Sequence, residues 1–159
     1  MKKLLIAAFA VTLAFSACKD DKDDATPATP GQTGSAALTG KDWRMTANTY
    51  VISGSGSDDG TTDLFAEKEA CEKDDLTRFN DDKTMTEKAG ATKCDPSDPD
   101  SKPGGTWELM NNNTKLKVTD GNDPIIFDIV TLNETTLTIK SIDTDAGVTS
   151  TINASFTKN

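Results

Sequence analysis

The chain has 159 residues, with 17 Lys plus Arg against 26 Asp plus Glu, no His, three Cys and a hydrophobic share of 35%. That length allows one domain of ordinary size. The missing His removes the commonest general base and metal ligand and any Ser-His-Asp or Cys-His catalytic arrangement. A formal charge of -9 argues against nucleic acid as a partner, because phosphate binding needs a basic surface.

Residues 1–17, MKKLLIAAFAVTLAFSA, carry two lysines, an apolar stretch from Leu4 to Phe15 and then small residues. The apolar stretch is too short to span a membrane permanently, so the segment reads as an export signal. Phe15-Ser16-Ala17-Cys18 resembles the lipobox of bacterial lipoproteins, with Phe15 where Leu is usual. The resemblance implies cleavage before Cys18 and lipidation of that residue; an ordinary secretory signal is the alternative. Cysteine counting fits the lipid reading: with Cys18 acylated, Cys71 and Cys94 remain as an even pair able to form a disulfide. One acyl chain anchors weakly, so the several chains typical of such lipoproteins would tether the protein to a membrane that it does not span.

Residues 18–36 open with Lys19-Asp20-Asp21-Lys22-Asp23-Asp24 and continue in Pro, Thr and Gly without apolar periodicity, which predicts a disordered, solvated tether. The acidic run directly after Cys18 resembles the surface-export signal of Bacteroidota lipoproteins. It implies attachment to the outer membrane with exposure at the cell surface; a periplasm-facing position is the alternative. Removing the signal takes away two lysines and no acids, so the remaining chain is more acidic and poorer in apolar residues.

The folded part is expected over 37–159 and is all-β. Val148, Ser150, Ile152, Ala154 and Phe156 alternate with polar residues, the pattern of a strand with one buried and one wet face. The same alternation predicts strands near 42–52, 75–80, 83–89, 105–110, 114–119, 125–132 and 136–142. Ile125 to Leu132 is apolar on both faces except at Asp128, which predicts a strand covered on both sides or facing a lid. Asn80-Asp81-Asp82, Asn111-Asn112-Asn113, Asp120-Gly121-Asn122-Asp123, Asn133-Glu134 and Asp145-Ala146-Gly147 supply the turns. Thr62 to Cys71 has a capping residue, early acids and good helix formers, so one short helix is predicted there. Ala89 to Gly104, with Asp95-Pro96-Ser97-Asp98-Pro99-Asp100, is predicted to be loop. An antiparallel up-and-down meander of eight strands closes most readily as a small barrel; a two-sheet β-sandwich is the alternative.

Four segments carry a family resemblance: Leu38-Thr39-Gly40-Lys41-Asp42-Trp43, Cys71-Glu72-Lys73-Asp74-Asp75-Leu76-Thr77-Arg78-Phe79-Asn80, Gly90-Ala91-Thr92-Lys93-Cys94-Asp95-Pro96, and Gly105-Thr106-Trp107. Together they resemble the lipocalin-like domains of Bacteroidota surface lipoproteins over most of 38–159. The resemblance implies a small β-barrel able to hold a hydrophobic ligand. In lipocalins a Gly-x-Trp packs its Trp across the closed end of the barrel; here two residues separate Gly40 from Trp43.

The first functional expectation is a carrier or sensor of a small apolar molecule, lined by Met45, Met85, Trp107, Leu109, Phe127, Ile129, Leu137 and Phe156. The plainer expectation is that these residues only fill the core, since so apolar-poor a chain has few to spare. A second class is a surface module that presents its acidic loops, 95–100 with 57–63, to a protein or glycan. Asp58, Asp59 and Asp63, or Asp95, Asp98 and Asp100, offer oxygen ligands, yet neither set matches an EF-hand loop, and no metal or other cofactor is expected. Glu108 and Asp128 fall on the outward phase of their strands, so no enzymatic activity is expected. The chain is expected to be a monomer.

Overall fold

The computed structural model describes residues 34–54 and 59–159. The export signal, Cys18, Asp58 and the tether up to residue 33 lie outside the described residues. A short helix, α1 (Gly34–Leu38), is followed by nine strands: β1 (Asp42–Gly54), β2 (Gly60–Asp63), β3 (Leu76–Phe79), β4 (Thr84–Lys88), β5 (Ser101–Met110), β6 (Lys115–Thr119), β7 (Pro124–Leu132), β8 (Thr136–Asp145) and β9 (Val148–Lys158). Every neighbouring pair is antiparallel, in the order β2-β1-β3-β4-β5-β6-β7-β8-β9, and β9 returns to β1. The result is a closed eight-stranded up-and-down barrel of β1 and β3–β9, with β2 added beside β1. Closure gives every barrel strand a neighbour on both sides over at least part of its length, whereas the sandwich alternative would have kept whole edge strands.

The longest seam runs from Trp43↔Lys158 to Gly54↔Val148, with a bulge between Met45 and Ala47. The turns predicted from Asn, Asp and Gly connect consecutive strands. Ala146 and Gly147 take φ values of 48° and 83°, the conformation a two-residue hairpin needs. Asn111, Asn112 and Asn113 all have positive φ, which Asn tolerates better than most side chains. At Gly105, with φ 90°, a Cβ would meet the Thr119 carbonyl oxygen at 2.1 Å, so only Gly lets β5 pass this close to β6 and aim Trp107 inward.

Four local expectations are corrected. The helix predicted over 62–71 is absent. Thr61 and Thr62 instead pair with β1 as part of β2, and the chain continues in single turns such as Glu67 N–H to the Asp63 carbonyl. So short a helix is marginal in water, and β1 beyond Arg44 offers unpaired backbone groups that β-branched residues satisfy better. The predicted loop up to Gly104 ends early, because β5 starts at Ser101. Pro103 is tolerated because β5 pairs with β6 only from Thr106 onward, so one side of this stretch is an edge. β7 is not covered on both sides: Ile126 and Val130 stand exposed on it. Residues 34–36, assigned to the tether by composition, form the first part of α1.

The core is one cluster of Leu38, Trp43, Phe79, Trp107, Leu116, Leu137, Ile139, Ala154 and Phe156. It fills the barrel end at which α1 sits with the β3–β4, β5–β6 and β7–β8 turns. The Trp43 indole donates to the Leu38 carbonyl at 2.8 Å, and Lys41 Nζ bonds the Glu134 carboxylate at 2.8 Å, so α1 closes this end like a stopper. Phe79 and Trp107 meet edge to face at 5.8 Å, and the Trp107 indole donates to the Asn80 carbonyl at 3.0 Å.

Outside the barrel, the β1–β3 junction is clamped by ions. Arg78 grips Asp42 with two hydrogen bonds of 2.6 and 2.9 Å, and Lys88 Nζ lies 3.0 Å from the same carboxylate. Partial burial works against ionisation of Asp42, but the Arg78 and Lys88 bonds outweigh it and hold the carboxyl below its ordinary value. A lowered folded-state value means that this stabilisation is present above the unfolded carboxyl range and is lost as pH falls through the folded value. Asp42→Asn is therefore expected to lower stability at neutral pH and to reduce the fall of stability on acidification below about pH 4. Urea titrations of both chains between pH 2 and 7 check this; parallel pH profiles would refute it.

Candidate functional site

β1 and β3 pair only at Asp42↔Arg78, Trp43↔Thr77 and Arg44↔Leu76. Beyond Arg44 the two strands part, and β1 turns to β2 from Thr49 onward. The gap is roofed by two segments, 64–75 and 89–100, which the Cys71–Cys94 disulfide joins. Asp74 adds to the staple by accepting from the Thr92 backbone and hydroxyl at 2.9 Å each, and Asp75 accepts from the Gly90 N–H. Beneath this roof lies a cavity of about 330 Å³, open to solvent on one side. Met45 and Leu76 give it an apolar floor, Cys71 and Cys94 a wall, and lysines and carboxylates its rim. Met45 also packs against the core, so it separates the cavity from the filled end of the barrel.

The eight residues predicted to line a ligand site fall into two groups. Trp107, Leu137 and Phe156 are buried in the core, and Met85, Leu109, Phe127 and Ile129 pack against it half-buried. Met45 alone among the eight lines the cavity under the roof.

The predicted ligand lining leaves out the other half of the barrel interior. In the register, Tyr50 pairs with Ile152, two residues along from Asn48↔Ala154, and Ile125 pairs with Val118. Ala154 is core, and Val118 packs on the core, so Tyr50, Ile152 and Ile125 point inward as well. They lie toward the end away from α1, and Ile125 is 45% exposed there. The Asn48 side-chain oxygen is buried on the same inner face without a hydrogen-bond partner. Ile152 is on the buried phase already predicted for its strand; carrying the pattern to the ends of β1 and β7 would have revealed Tyr50 and Ile125. Leu76 is a different case: it shares the outer phase of β3 with Arg78, and only the parting of β1 from β3 makes it a cavity residue.

The other candidate groups are placed elsewhere. Glu108 and Asp128 are on the outer wall, facing Lys117 and Lys115 respectively. Asp95 is taken up by the Ser97 N–H and hydroxyl, which hold its carboxyl below the ordinary value, and Asp100 pairs with Lys93 at 2.6 Å. Among the described residues the one group with metal-ligand spacing is Glu69, Cys71 and Cys94, and two of its three ligands are joined as the disulfide.

Trp43 is fully buried beside α1, across the closed end of the barrel, in spite of the extra residue between it and Gly40. No curated protein matches the chain. Residues 38–139, well over half of the chain and including both Trp43 and the Gly105-Thr106-Trp107 segment, match the family model described as a lipocalin-like domain. The closed antiparallel barrel, its Trp-sealed end and this match together make the chain a member of the lipocalin-like domain family.

Proposed function

We propose that this chain is a lipid-anchored protein of the cell envelope, without catalytic activity, whose lipocalin-like barrel binds a small hydrophobic ligand. The observation that carries the binding reading is the cavity of about 330 Å³ with Met45 and Leu76 at its floor. Its volume falls in the range of small-molecule sites, roughly 300–1,000 Å³. Met45 is unbranched and polarizable, a residue type that adapts to varied apolar surfaces. The seven other predicted lining residues belong to the packed core or lie against it.

A neutral fluorophore such as N-phenyl-1-naphthylamine tests the reading. Saturable fluorescence enhancement is expected with the purified protein, and Met45→Phe is expected to weaken it about tenfold by filling the floor while the circular dichroism spectrum is retained. A folded protein that gives no saturable enhancement would sink the idea.

The anchoring reading rests on residues 1–18 and on the cysteine balance. With Cys71 and Cys94 joined, Cys18 is the one cysteine outside the bridge. Outer-membrane attachment with surface exposure follows from the acidic run after Cys18. In cells fed an alkyne-tagged fatty acid, the protein is expected to take up label and fractionate with membranes, and Cys18→Ala to lose both. Equal labelling of the Cys18→Ala chain would refute acylation at this residue.

A further inference from the structure

We propose that the cavity between β1 and β3 selects an apolar ligand with a cationic head, and discriminates against fatty carboxylates. This inference rests on the ligand-binding reading above and adds the charge class of the ligand. Four lysines reach the rim, and two of them are neutralised in ion pairs, Lys93 with Asp100 at 2.6 Å and Lys102 with Glu87 at 3.0 Å, while Lys88, 3.0 Å from Asp42, shares that carboxylate with Arg78. Lys68 and the partly compensated Lys88 remain, against three rim carboxylates, Glu72, Asp75 and Asp98. Of these, Glu72 and Asp75 accept from backbone N–H groups, bonds that orient a carboxylate without cancelling its charge. The roof shows the same imbalance, since 64–75 and 89–100 together hold eight acidic residues and three lysines.

The electrostatics at Lys102 point the same way. Its ammonium is held above its ordinary value by the Glu87 hydrogen bond and charge first, and by Asp75 and Asp98 in addition. A cation at the rim is thus stabilised by more than one carboxylate. A ligand carboxylate placed there would meet unpaired acids and would have to displace an acid from its lysine. An ammonium head set among Glu72, Asp75 and Asp98, with its chain on Met45 and Leu76, satisfies both the polar rim and the apolar floor.

The test uses probes of one chain length with different heads, decyltrimethylammonium, decanol and decanoate, each below its micelle concentration. Binding is read from amide chemical shifts of the ¹⁵N-labelled protein at low salt. The ammonium probe is expected to bind about tenfold or more tighter than decanoate, with decanol between them, and added salt to narrow the gap. The shifts are expected at Met45, Leu76, Thr77 and the roof segments. The Asp75→Asn/Asp98→Asn chain, which keeps side-chain acceptors at both positions, is expected to lose most of the discrimination, the ammonium and decanoate affinities converging.

Decanoate binding as tightly as the ammonium probe would overturn the charge preference and leave hydrocarbon binding intact. Decanol shifts confined to Tyr50, Ile125 and Ile152 would move the site to the open barrel end and overturn the inference alone. Tetramethylammonium giving the same shifts as the decyl probe would mean attraction to acidic surface only, and also overturns it. If no probe shifts any cavity residue, the ligand-binding reading fails with it.

Discussion

Trp43→Ala is expected to remove about 3–5 kcal/mol of folding free energy. The indole is fully buried at the α1 end, so its deletion combines lost apolar transfer with a cavity that neighbours fill only in part. Two further contacts go with it. The Leu38 carbonyl loses the indole N–H that it accepts at 2.8 Å, and the Lys41 ammonium, 5.7 Å from the ring centroid, loses its cation–π partner. Small domains have only about 5–15 kcal/mol in total, so this substitution brings the barrel near its unfolding threshold. Trp43→Phe separates the effects: most of the volume stays and the hydrogen bond is lost, with an expected cost of about 1–2 kcal/mol. Guanidinium unfolding of the three chains measures both. A Trp43→Ala loss below about 1 kcal/mol would show that α1 and Trp43 do not seal the barrel.

Loss of the Cys71–Cys94 disulfide is expected to cost about 3.5 kcal/mol on the chain-entropy model, from a bridge that spans 23 positions. The bridge joins two segments outside the barrel wall, and neither residue belongs to the core cluster. The Cys71→Ser/Cys94→Ser chain should therefore keep the barrel and its β-sheet spectrum while its melting temperature falls by on the order of 10 °C. The consequence for the cavity is direct, since both sulfurs wall it and both roof segments depend on the bridge. Asp74 to Thr92 and Asp75 to Gly90 remain as weaker ties, so the roof loosens without detaching. Affinity for the neutral fluorophore should then fall by about tenfold, as ordering of the roof is no longer prepaid. Unchanged affinity in the bridge-free chain would place the bound probe away from the roof.

Strand positions and inward faces were legible because period-two alternation is local: Leu116, Leu137, Ile139 and Phe156 identify their own strands and their buried side. The turns were legible for the same reason, since Asn, Asp and Gly meet a φ requirement within one or two residues. The roof was not. Thr62 to Cys71 has helical propensity, but a vacant stretch of β1 edge and a bridge to Cys94 compete for it, and both depend on residues far away in the chain. Pro103 misled in a similar way, since whether Pro disrupts a strand depends on which of its two sides is paired.

The candidate site divides along the same line. Met45 was found from its phase on β1, as an apolar residue facing inward. Leu76, Asp75 and Lys68 were not found, because nothing in their own segments marks them; they become neighbours where β1 leaves β3 and the stapled roof crosses the gap. By itself the sequence determined the all-β class, the inward faces, the turns and the pairing of cysteines, all of which follow from local periodicity, backbone preference or counting. Only the tertiary structure decided where the barrel seam opens, which of the inward residues are core and which line a cavity, and which rim charges stay uncompensated. Those outcomes depend on distances between segments that chain order does not contain, and on which of several competing partners each side chain reaches first.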